Sequence, residues 1–161
     1  MIAVDRLRAL LRYDPDTGNF IWLVKTTRRA AGEVAGKTCH GYVQIQLDGR
    51  QYLAHRLAWL FVHGEWPRGE IDHVNGCKAD NRLANLRLAT RSQNQANNGL
   101  SSRNRTGRKG VGWNKNAGKW QVQIGVKGKI IYLGLFDDID AASRAYGDAA
   151  SVYFGEFARP V

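Results

Sequence analysis

Two spacings of apolar residues divide the first hundred positions into helices and strands. Residues 4–12 place leucines at helical spacing, whereas residues 42–47 alternate apolar and polar side chains with period two, as strands do. The Asp-Gly pair at 48–49 favours a hairpin turn directly after that strand. The whole pattern predicts helices over 4–12, 55–63 and 92–98, and strands over 19–24, 42–47, 51–54, 70–74 and 86–90.

The last fifty residues follow a simpler pattern. Three strand-like runs over 111–113, 119–126 and 129–136 are separated by turns rich in Gly, Asn and Lys, and one helix is predicted over 138–154. The inward stripe of this helix would be Ile139, Ala142, Tyr146, Ala149 or Ala150, and Tyr153, and large apolar area would come from Trp113, Trp120, Phe136 and Phe154. Along the middle strand, Trp120, Val122, Ile124 and Val126 would face the helix, which leaves Gln121 and Gln123 pointing outward.

These elements predict an α+β protein with two modules. The segment 100–109 is rich in Ser, Arg, Asn and Gly and lacks apolar periodicity, so we interpret it as an interdomain linker. The predicted organisation is a first domain over 1–99, a linker over 100–109, and a second domain over 110–161. The second domain would be a three-stranded antiparallel sheet with one covering helix.

The distribution of charge points to a polyanionic partner. Lys and Arg number 24 against 14 Asp and Glu, which gives a net charge of +10. Between Asn81 and Phe136 there is no acidic residue, while eleven lysines and arginines fall there. Such a segment of one sign attracts nucleic acid and releases counterions when it neutralises phosphates. A basic surface that serves only solubility is the alternative.

Several classes of protein are disfavoured by the same composition. The longest apolar stretches are too short to span a bilayer, and no signal region precedes Asp5 and Arg6, so no membrane partner is expected. Cys39 and Cys77 stand without CxxC partners, which argues against a zinc knuckle and predicts a cytosolic chain with two free thiols.

One constellation carries the elements of phosphodiester chemistry. Asp72 and His73 are adjacent on a predicted strand, and Asn94 follows about twenty residues later in the first turn of a predicted helix. A strand, loop, strand and helix would bring Asp72 and Asn94 together, and an oxygen-only pair suits a hard cation such as Mg²⁺. A neutral histidine beside that cation can accept a proton from an attacking water.

The residues around this constellation resemble the His-Asn-His (HNH) endonuclease family, in particular its phage and homing members with a ββα-metal fold. The resemblance covers roughly residues 5–98 and rests on three segments: His55-Arg56-Leu57-Ala58-Trp59, Ile71-Asp72-His73-Val74-Asn75-Gly76, and Asp80-Asn81-Arg82-Leu83-Ala84-Asn85-Leu86-Arg87 followed by Asn94 and Asn97. Many relatives carry histidine where this chain has Asn94, and an amide oxygen there favours Mg²⁺ or Mn²⁺ over Zn²⁺.

The resemblance implies a role for each matching position. Asp72 and Asn94 would ligate the divalent metal, and His73 would be the general base that activates water. Asn85 would tie the loop and orient His73. His55 could either contact the scissile phosphate or serve as a structural histidine at the start of its helix. Arg56, Arg87 and Arg91 could brace phosphates.

The C-terminal third resembles the APETALA2-type DNA-binding domain over about residues 107–158. The resemblance rests on Gly110-Val111-Gly112-Trp113, Gly118-Lys119-Trp120-Gln121-Val122-Gln123-Ile124, Tyr132-Leu133-Gly134-Leu135-Phe136 and Ala141-Ala142-Ser143-Arg144-Ala145-Tyr146. In that family the sheet enters the major groove. The residues expected to contact DNA are Arg105, Arg108, Lys109, Asn114, Lys119, Gln121, Gln123, Lys127, Lys129 and Tyr132. Gly112 and Gly125 stand where relatives carry groove-facing arginines.

The sequence therefore predicts a phage- or prophage-encoded metal-dependent endonuclease that nicks or cuts double-stranded DNA in the host cytoplasm, without a small-molecule cofactor. A non-catalytic, sequence-preferring DNA-binding or regulatory protein on the same scaffold is the alternative. An RNA-processing nuclease is disfavoured, because the stacking aromatics of single-strand readers are missing from the sequence.

Overall fold

The protein, described from a computed structural model that covers residues 1–25 and 29–159, has a mixed α+β fold. Its chain divides into two compact units, Met1–Ala89 and Thr90–Val161. The segment 100–109, interpreted above as a linker, forms turns within the second unit, and the domain limits drawn from the sequence stay a prediction. No helix in the described ranges is long and apolar enough to cross a membrane.

The first unit is built from small antiparallel sheets around two helices. Helix α1 (Val4–Leu10) leads into the hairpin of β1 (Leu11–Tyr13) and β2 (Phe20–Trp22), and β3 (Lys37–Cys39), β4 (Tyr42–Leu47) and β5 (Arg50–Leu53) form a second sheet. Helix α2 (Ala54–His63) follows at once, and β6 (Glu70–His73) pairs with β7 (Leu86–Ala89) after a 3-10 turn, Leu83–Asn85.

The core of the first unit explains why these short elements hold together. Leu7, Leu11, Phe20, Ile45 and Leu57 are fully buried, and each comes from a different helix or strand. Burial of one such side chain contributes roughly 1.5–3 kcal/mol relative to leaving it exposed. The core therefore fixes α2 against the sheets, and α2 in turn supplies a residue of the candidate site.

The structure corrects the prediction for the first unit at two places. The first helix ends at Leu10, not at residue 12, because Leu11–Tyr13 pairs with Phe20–Trp22 through main-chain hydrogen bonds. The strand Lys37–Cys39 was missed in a glycine-rich passage, since its burial pattern does not alternate and only its pairing with β4 defines it.

The second unit consists of a sheet, a covering helix and one shorter helix. Helix α3 (Arg91–Asn97) comes first, and β8 (Val111–Asn114), β9 (Lys119–Val126) and β10 (Lys129–Phe136) form an antiparallel sheet with β9 in the middle. Helix α4 (Ile139–Phe154) packs on this sheet, and a 3-10 turn, Gly155–Phe157, ends the described fold.

The core between sheet and helix agrees with the predicted alternation, with two corrections. Val122 and Ile124 of β9 are buried, as is Tyr146 of α4. Tyr153 is 46% exposed, because the inward position at the end of the helix belongs to Phe154. Trp113 is 51% exposed, since it lies on an edge strand and contacts Trp120 only edge-on, with ring centroids 4.9 Å apart.

Candidate active site

The paired strands β6 and β7 carry the candidate site of the first unit. In their register Asp72 lies opposite Arg87 and His73 lies opposite Leu86. Successive side chains of a strand point to opposite faces, so the two candidate residues are presented to different surroundings. Both are buried, Asp72 at 3% and His73 at 5% exposure.

The carboxylate of Asp72 forms an ion pair with the guanidinium of Arg87. Arg87 Nε donates to Asp72 Oδ2 over 2.9 Å, and the two side chains are only 14% and 4% exposed. Removing charges from water is costly, so a pair this buried persists only because each partner compensates the other. The carboxylate of Asp72, which is predicted to ligate a metal, is thus paired with a permanent positive charge. That charge belongs to Arg87, which is predicted to brace a phosphate.

The imidazole of His73 lies in a pocket of other rings. Its centroid is 5.0 Å from that of His55, edge to face, and 6.2 Å from that of Tyr42. Burial lowers the pKa of His73, although the neighbouring Asn81 side chain and the charge of Asp72 act in the opposite direction. A lowered pKa keeps the ring neutral at neutral pH, which is the form that can accept a proton.

His55, in the first turn of α2, is the second buried histidine of the site. It is 5% exposed, its ring lies 5.4 Å from that of Tyr42, and its Nδ1 makes no hydrogen bond to any residue in the described ranges. Burial lowers the pKa of His55 to about 3, with smaller contributions from the charges of His73 and Arg56. The two interpretations drawn from the sequence, a phosphate contact and a structural histidine, both stay predictions.

Asn85 ties the loop between β6 and β7 at two points. Its Oδ1 accepts from the backbone amide of Asn75 over 3.0 Å, and its Nδ2 donates to the carbonyl of Asp80 over 2.8 Å. Its own carbonyl accepts from the amide of Val74 over 2.9 Å. A single buried amide therefore connects both ends of the loop that follows His73.

A second group of contacts stiffens the same loop from within. Asp80 accepts from the guanidinium of Arg82 over 2.6 Å and from Asn75 Nδ2 over 2.7 Å. The hydrogen bond from Arg82 is the largest of several effects that hold the pKa of Asp80 well below its usual range. The carboxylate therefore stays ionised and keeps the loop closed at any pH near neutrality.

The hairpin of β1 and β2 packs against the loop between β6 and β7. Tyr13 donates its hydroxyl to the carbonyl of Asn81 over 2.7 Å, and the amide of Leu83 donates to the carbonyl of Pro15 over 3.0 Å. Gly18, with φ +74°, lies so close that a Cβ there would stand 2.4 Å from the backbone nitrogen of Arg82. Glycine is required because the two backbones touch.

Asn94 lies on α3, in the second unit, and its position relative to Asp72 stays a prediction. The helix that carries it begins with a capping box, in which Thr90 accepts from the amide of Gln93 over 3.3 Å while Gln93 Oε1 accepts from the amide of Thr90 over 2.8 Å. This cap fixes the register of α3 and so the position of Asn94 in its first turn.

The donors present fit a weakly ligated, oxygen-coordinated cation. Within the described residues there is no group of three or more His, Cys, Asp and Glu that could hold a metal. A cation held by a single carboxylate, with water and phosphate oxygens as its other ligands, would not produce such a group. The buried carboxylate of Asp72 beside His73 supplies the single strong ligand of that kind.

Some of the residues predicted to contact DNA form contacts within the protein, and others are exposed to solvent. Arg56 donates to the carbonyls of Gly69 and Pro67, Arg108 pairs with Asp140, and Lys119 pairs with Asp137. Lys109 donates to the carbonyls of Ala96 and Asn98, and burial lowers its pKa. The exposed members are Arg91, Arg105, Gln123, Lys127, Lys129 and Tyr132.

Two neighbours of the histidines were missed in the sequence. Tyr42 contacts both rings, and Lys78 places its Nζ 4.9 Å from the Tyr42 centroid. Neither residue carries a local signal, because a tyrosine at the start of a strand and a lysine in a polar loop are ordinary. Only the packing of β4 against α2 brings Tyr42 to the site.

Comparison with known proteins identifies a family model and two relatives that match this chain. The family model described as HNH endonuclease matches residues 52–96. Protein 3.8 of Escherichia phage T7 is 30% identical over 106 residues, which cover 65% of this chain and 87% of that protein. An AP2-like ethylene-responsive transcription factor of Arabidopsis thaliana is 35% identical over 82 residues, half of this chain and 19% of the plant protein. Together the matches imply DNA binding.

Proposed function

Because the chain belongs to the HNH endonuclease family, we propose that it is a metal-dependent endonuclease acting on double-stranded DNA, encoded by a phage or prophage. The observation that carries the proposal is the buried Asp72–His73 pair on β6, inside the segment that the family model matches. The match to a T7 protein supports the phage context. The nuclease module would have the ββα-metal fold, and the second sheet would be an APETALA2-type DNA-binding module.

In the proposed reaction His73 is the general base. Its neutral imidazole takes a proton from water, the water oxygen bonds to phosphorus, and the bond from phosphorus to the 3′ oxygen breaks in line. Asp72 and Asn94 would hold Mg²⁺ or Mn²⁺, which when bound stabilises negative charge on the phosphate and the leaving oxygen. Asn85 acts as a positioning residue, since it fixes the loop that follows His73.

The ion pair between Arg87 and Asp72 gives the proposed site a second property. A cation bound at Asp72 would share the carboxylate with the guanidinium of Arg87, whose Nε donates to Asp72 Oδ2 over 2.9 Å. Arg87 is therefore expected to orient the carboxylate and to weaken metal affinity. A low affinity for the free ion suits a site that phosphate oxygens complete.

The proposal is tested by cleavage of supercoiled plasmid in Mg²⁺ with and without chelator. His73→Ala should lose cleavage by about 10²–10⁴-fold and keep its DNA affinity, while Asp72→Asn should lose metal-dependent cleavage and keep the contact with Arg87. His63→Ala, at an exposed histidine of the same unit, is the matched control and should cut like the wild type. Undiminished cutting by either site variant would show that the site is misplaced. No chelator-sensitive cutting by the wild type would favour the non-catalytic alternative.

A further inference from the structure

The outward face of the sheet in the second unit combines side-chain amides with exposed apolar groups. The register pairs Gln123 with Tyr132, Gln121 with Leu135, and Gly125 with Ile130. Since directly paired residues of an antiparallel sheet share a face, these residues all lie opposite α4, which covers Val122 and Ile124. The central part of the face comprises Gln121, Gln123, Ile130, Tyr132 and Leu135, and we refer to it as the amide–apolar face. Lys119, two residues before Gln121, lies on the same side at the end of the sheet, where it pairs with Asp137 over 3.0 Å.

The two glutamines are presented for hydrogen bonding in different ways. Gln121 Oε1 accepts from Asn114 Nδ2 over 2.9 Å, so its amide is oriented before any ligand binds. Its oxygen retains a second lone pair and its amide nitrogen two donors. Gln123 is exposed. Each glutamine can therefore offer one donor and one acceptor side by side.

The apolar members are unusually exposed for their type. Ile130 is 73% exposed and Leu135 is 39% exposed, and Tyr132 between them is 58% exposed. Gly125 opposite Ile130 gives the isoleucine no side chain to pack against, and a Cβ at that glycine would meet nothing within 4 Å. Apolar side chains left in water on a sheet face indicate a surface that becomes covered on binding.

The charges near the amide–apolar face indicate which kind of partner covers it. None of its five residues is charged, yet the chain has no acidic residue from Asn81 to Phe136 and carries exposed Lys127 and Lys129 at one end of the sheet. Basic residues beside an uncharged patch are complementary to DNA, whose phosphates flank the uncharged base edges of the groove. A sheet of this size can enter the major groove, where strands read bases.

The chemistry of the face selects among the four base pairs. An amide that donates and accepts matches the N7 and N6 edge of adenine, and an apolar side chain matches the methyl group of thymine. Guanine is read mainly by Arg or Lys and cytosine by Asp or Glu, and the five positions contain neither kind of residue. The lysine on the same side of the sheet, Lys119, is engaged by Asp137. We propose that the amide–apolar face reads A·T base pairs in the major groove, with Gln121 and Gln123 on adenines and Ile130 and Leu135 on thymine methyl groups. This inference rests on the proposed function, because it names the sequence class that the DNA-binding sheet prefers.

The first test is selection of duplexes from a random library by the full-length protein in the presence of chelator. Enrichment of runs of A·T pairs is expected. Enrichment of G·C-rich sites, or of no sequence class, would overturn the inference. The salt dependence of affinity, measured on the same duplexes, reports separately on DNA binding: a steep dependence with no A·T preference leaves the proposed function standing and removes this inference alone.

The second test replaces single chemical groups on the bases of the selected duplex. Uracil in place of thymine removes the methyl group, and 7-deazaadenine in place of adenine removes the N7 acceptor. We expect losses in affinity of about threefold per methyl contact and about fivefold or more per amide contact. The double variant Gln121→Ala/Gln123→Ala should become insensitive to 7-deazaadenine, and Ile130→Ser/Leu135→Ser should become insensitive to uracil.

Matched variants separate reading from general effects. Val152→Ser, at a position of α4 that is 80% exposed, should leave both analogue effects unchanged. Lys129→Ala should weaken binding equally to all duplexes, as expected for a phosphate contact. Circular dichroism confirms that each variant is folded. The proposal would be overturned if the effects of the base analogues persisted in the glutamine and Ile130/Leu135 variants. It would also be overturned if Ile130→Ser/Leu135→Ser did nothing except abolish self-association of the protein.

Discussion

At the scale of single residues, His55 couples the stability of the first unit to pH. Its folded-state pKa of about 3 lies below the value of about 6.5 expected in the unfolded chain. Between these values the unfolded chain holds a proton that the folded protein rejects, so stability falls as pH falls through this window. His55→Leu should reduce the slope by up to about 1.4 kcal/mol per pH unit, measured by urea unfolding at several pH values. An unchanged slope would contradict the assigned cause.

Arg87 offers a second prediction at the same scale. Replacing it with Met removes the guanidinium that pairs with the buried carboxylate of Asp72, and the expected loss is about 3–5 kcal/mol in the free energy of unfolding. Asp72→Asn in the Arg87→Met background should recover part of that loss, since the buried charge is removed. Urea unfolding of the four proteins measures the coupling, and simple additivity of the two single changes would show that the pair is not coupled.

At the scale of elements, the turn at Gly18 is expected to control the loop after His73. In Gly18→Ala the alanine has to adopt a left-handed backbone, and its Cβ would stand 2.4 Å from the backbone nitrogen of Arg82. Gly49→Ala is the matched control, because Gly49 has nearly the same φ, +78°, and nothing within 4 Å of an added Cβ. We expect about 1–2 kcal/mol for the control and a larger loss, with reduced cleavage, for Gly18→Ala. Equal losses in unfolding free energy would show that the turn does not brace the loop.

The elements also show how far the sequence could predict the fold. The hairpin of β4 and β5 was predicted because alternation and an Asp-Gly turn are local signals. The end of α1 was misplaced because Leu11 fits a helical stripe and a buried strand equally well, and pairing with Trp22 decides between them. Tyr153 and Phe154 are likewise adjacent, and the exact rotation of α4 on the sheet, which spacing alone does not give, determines which ring is buried.

The candidate site was predictable to the same degree. Asp72, His73 and Asn85 were predicted because their spacing is part of a motif. Their roles stay predictions, and the structure describes the loop contacts of Asn85. The ring contact between His55 and His73 joins α2 to β6 across a long stretch of chain, and no local pattern encodes it. The engagement of Lys109 with the carbonyls at the end of α3 has the same origin, since a lysine in a polar segment reads as a surface charge.

At the scale of the whole molecule, the chain joins a segment related to HNH endonucleases with one related to a plant transcription factor. The acid-free segment from Asn81 to Phe136 begins within the residues that the HNH family model matches and continues to the last strand of the C-terminal sheet. The positive charge therefore belongs to both halves of the chain. The two arginines of this segment that lie in the first unit, Arg82 and Arg87, pair with Asp80 and Asp72, so we expect the charge that contacts phosphate to lie in the second unit.

The position of this charge, and not its sum, is therefore expected to set DNA affinity. Arg103→Ala/Arg105→Ala removes two exposed arginines from the acid-free segment, and Arg12→Ala/Arg50→Ala removes two exposed arginines outside it, so both variants lose the same net charge. If Arg103 and Arg105 contact phosphates, their loss should reduce the slope of log affinity against log salt by up to about 0.9 for each contact. The second variant should keep nearly the wild-type slope, since charges more than about 10 Å from the DNA are screened at moderate salt.

Fluorescence anisotropy with a labelled duplex over a range of salt concentrations measures both slopes. Equal reductions would mean that the protein attracts DNA through its net charge alone, and the acid-free segment would then have no special part in binding.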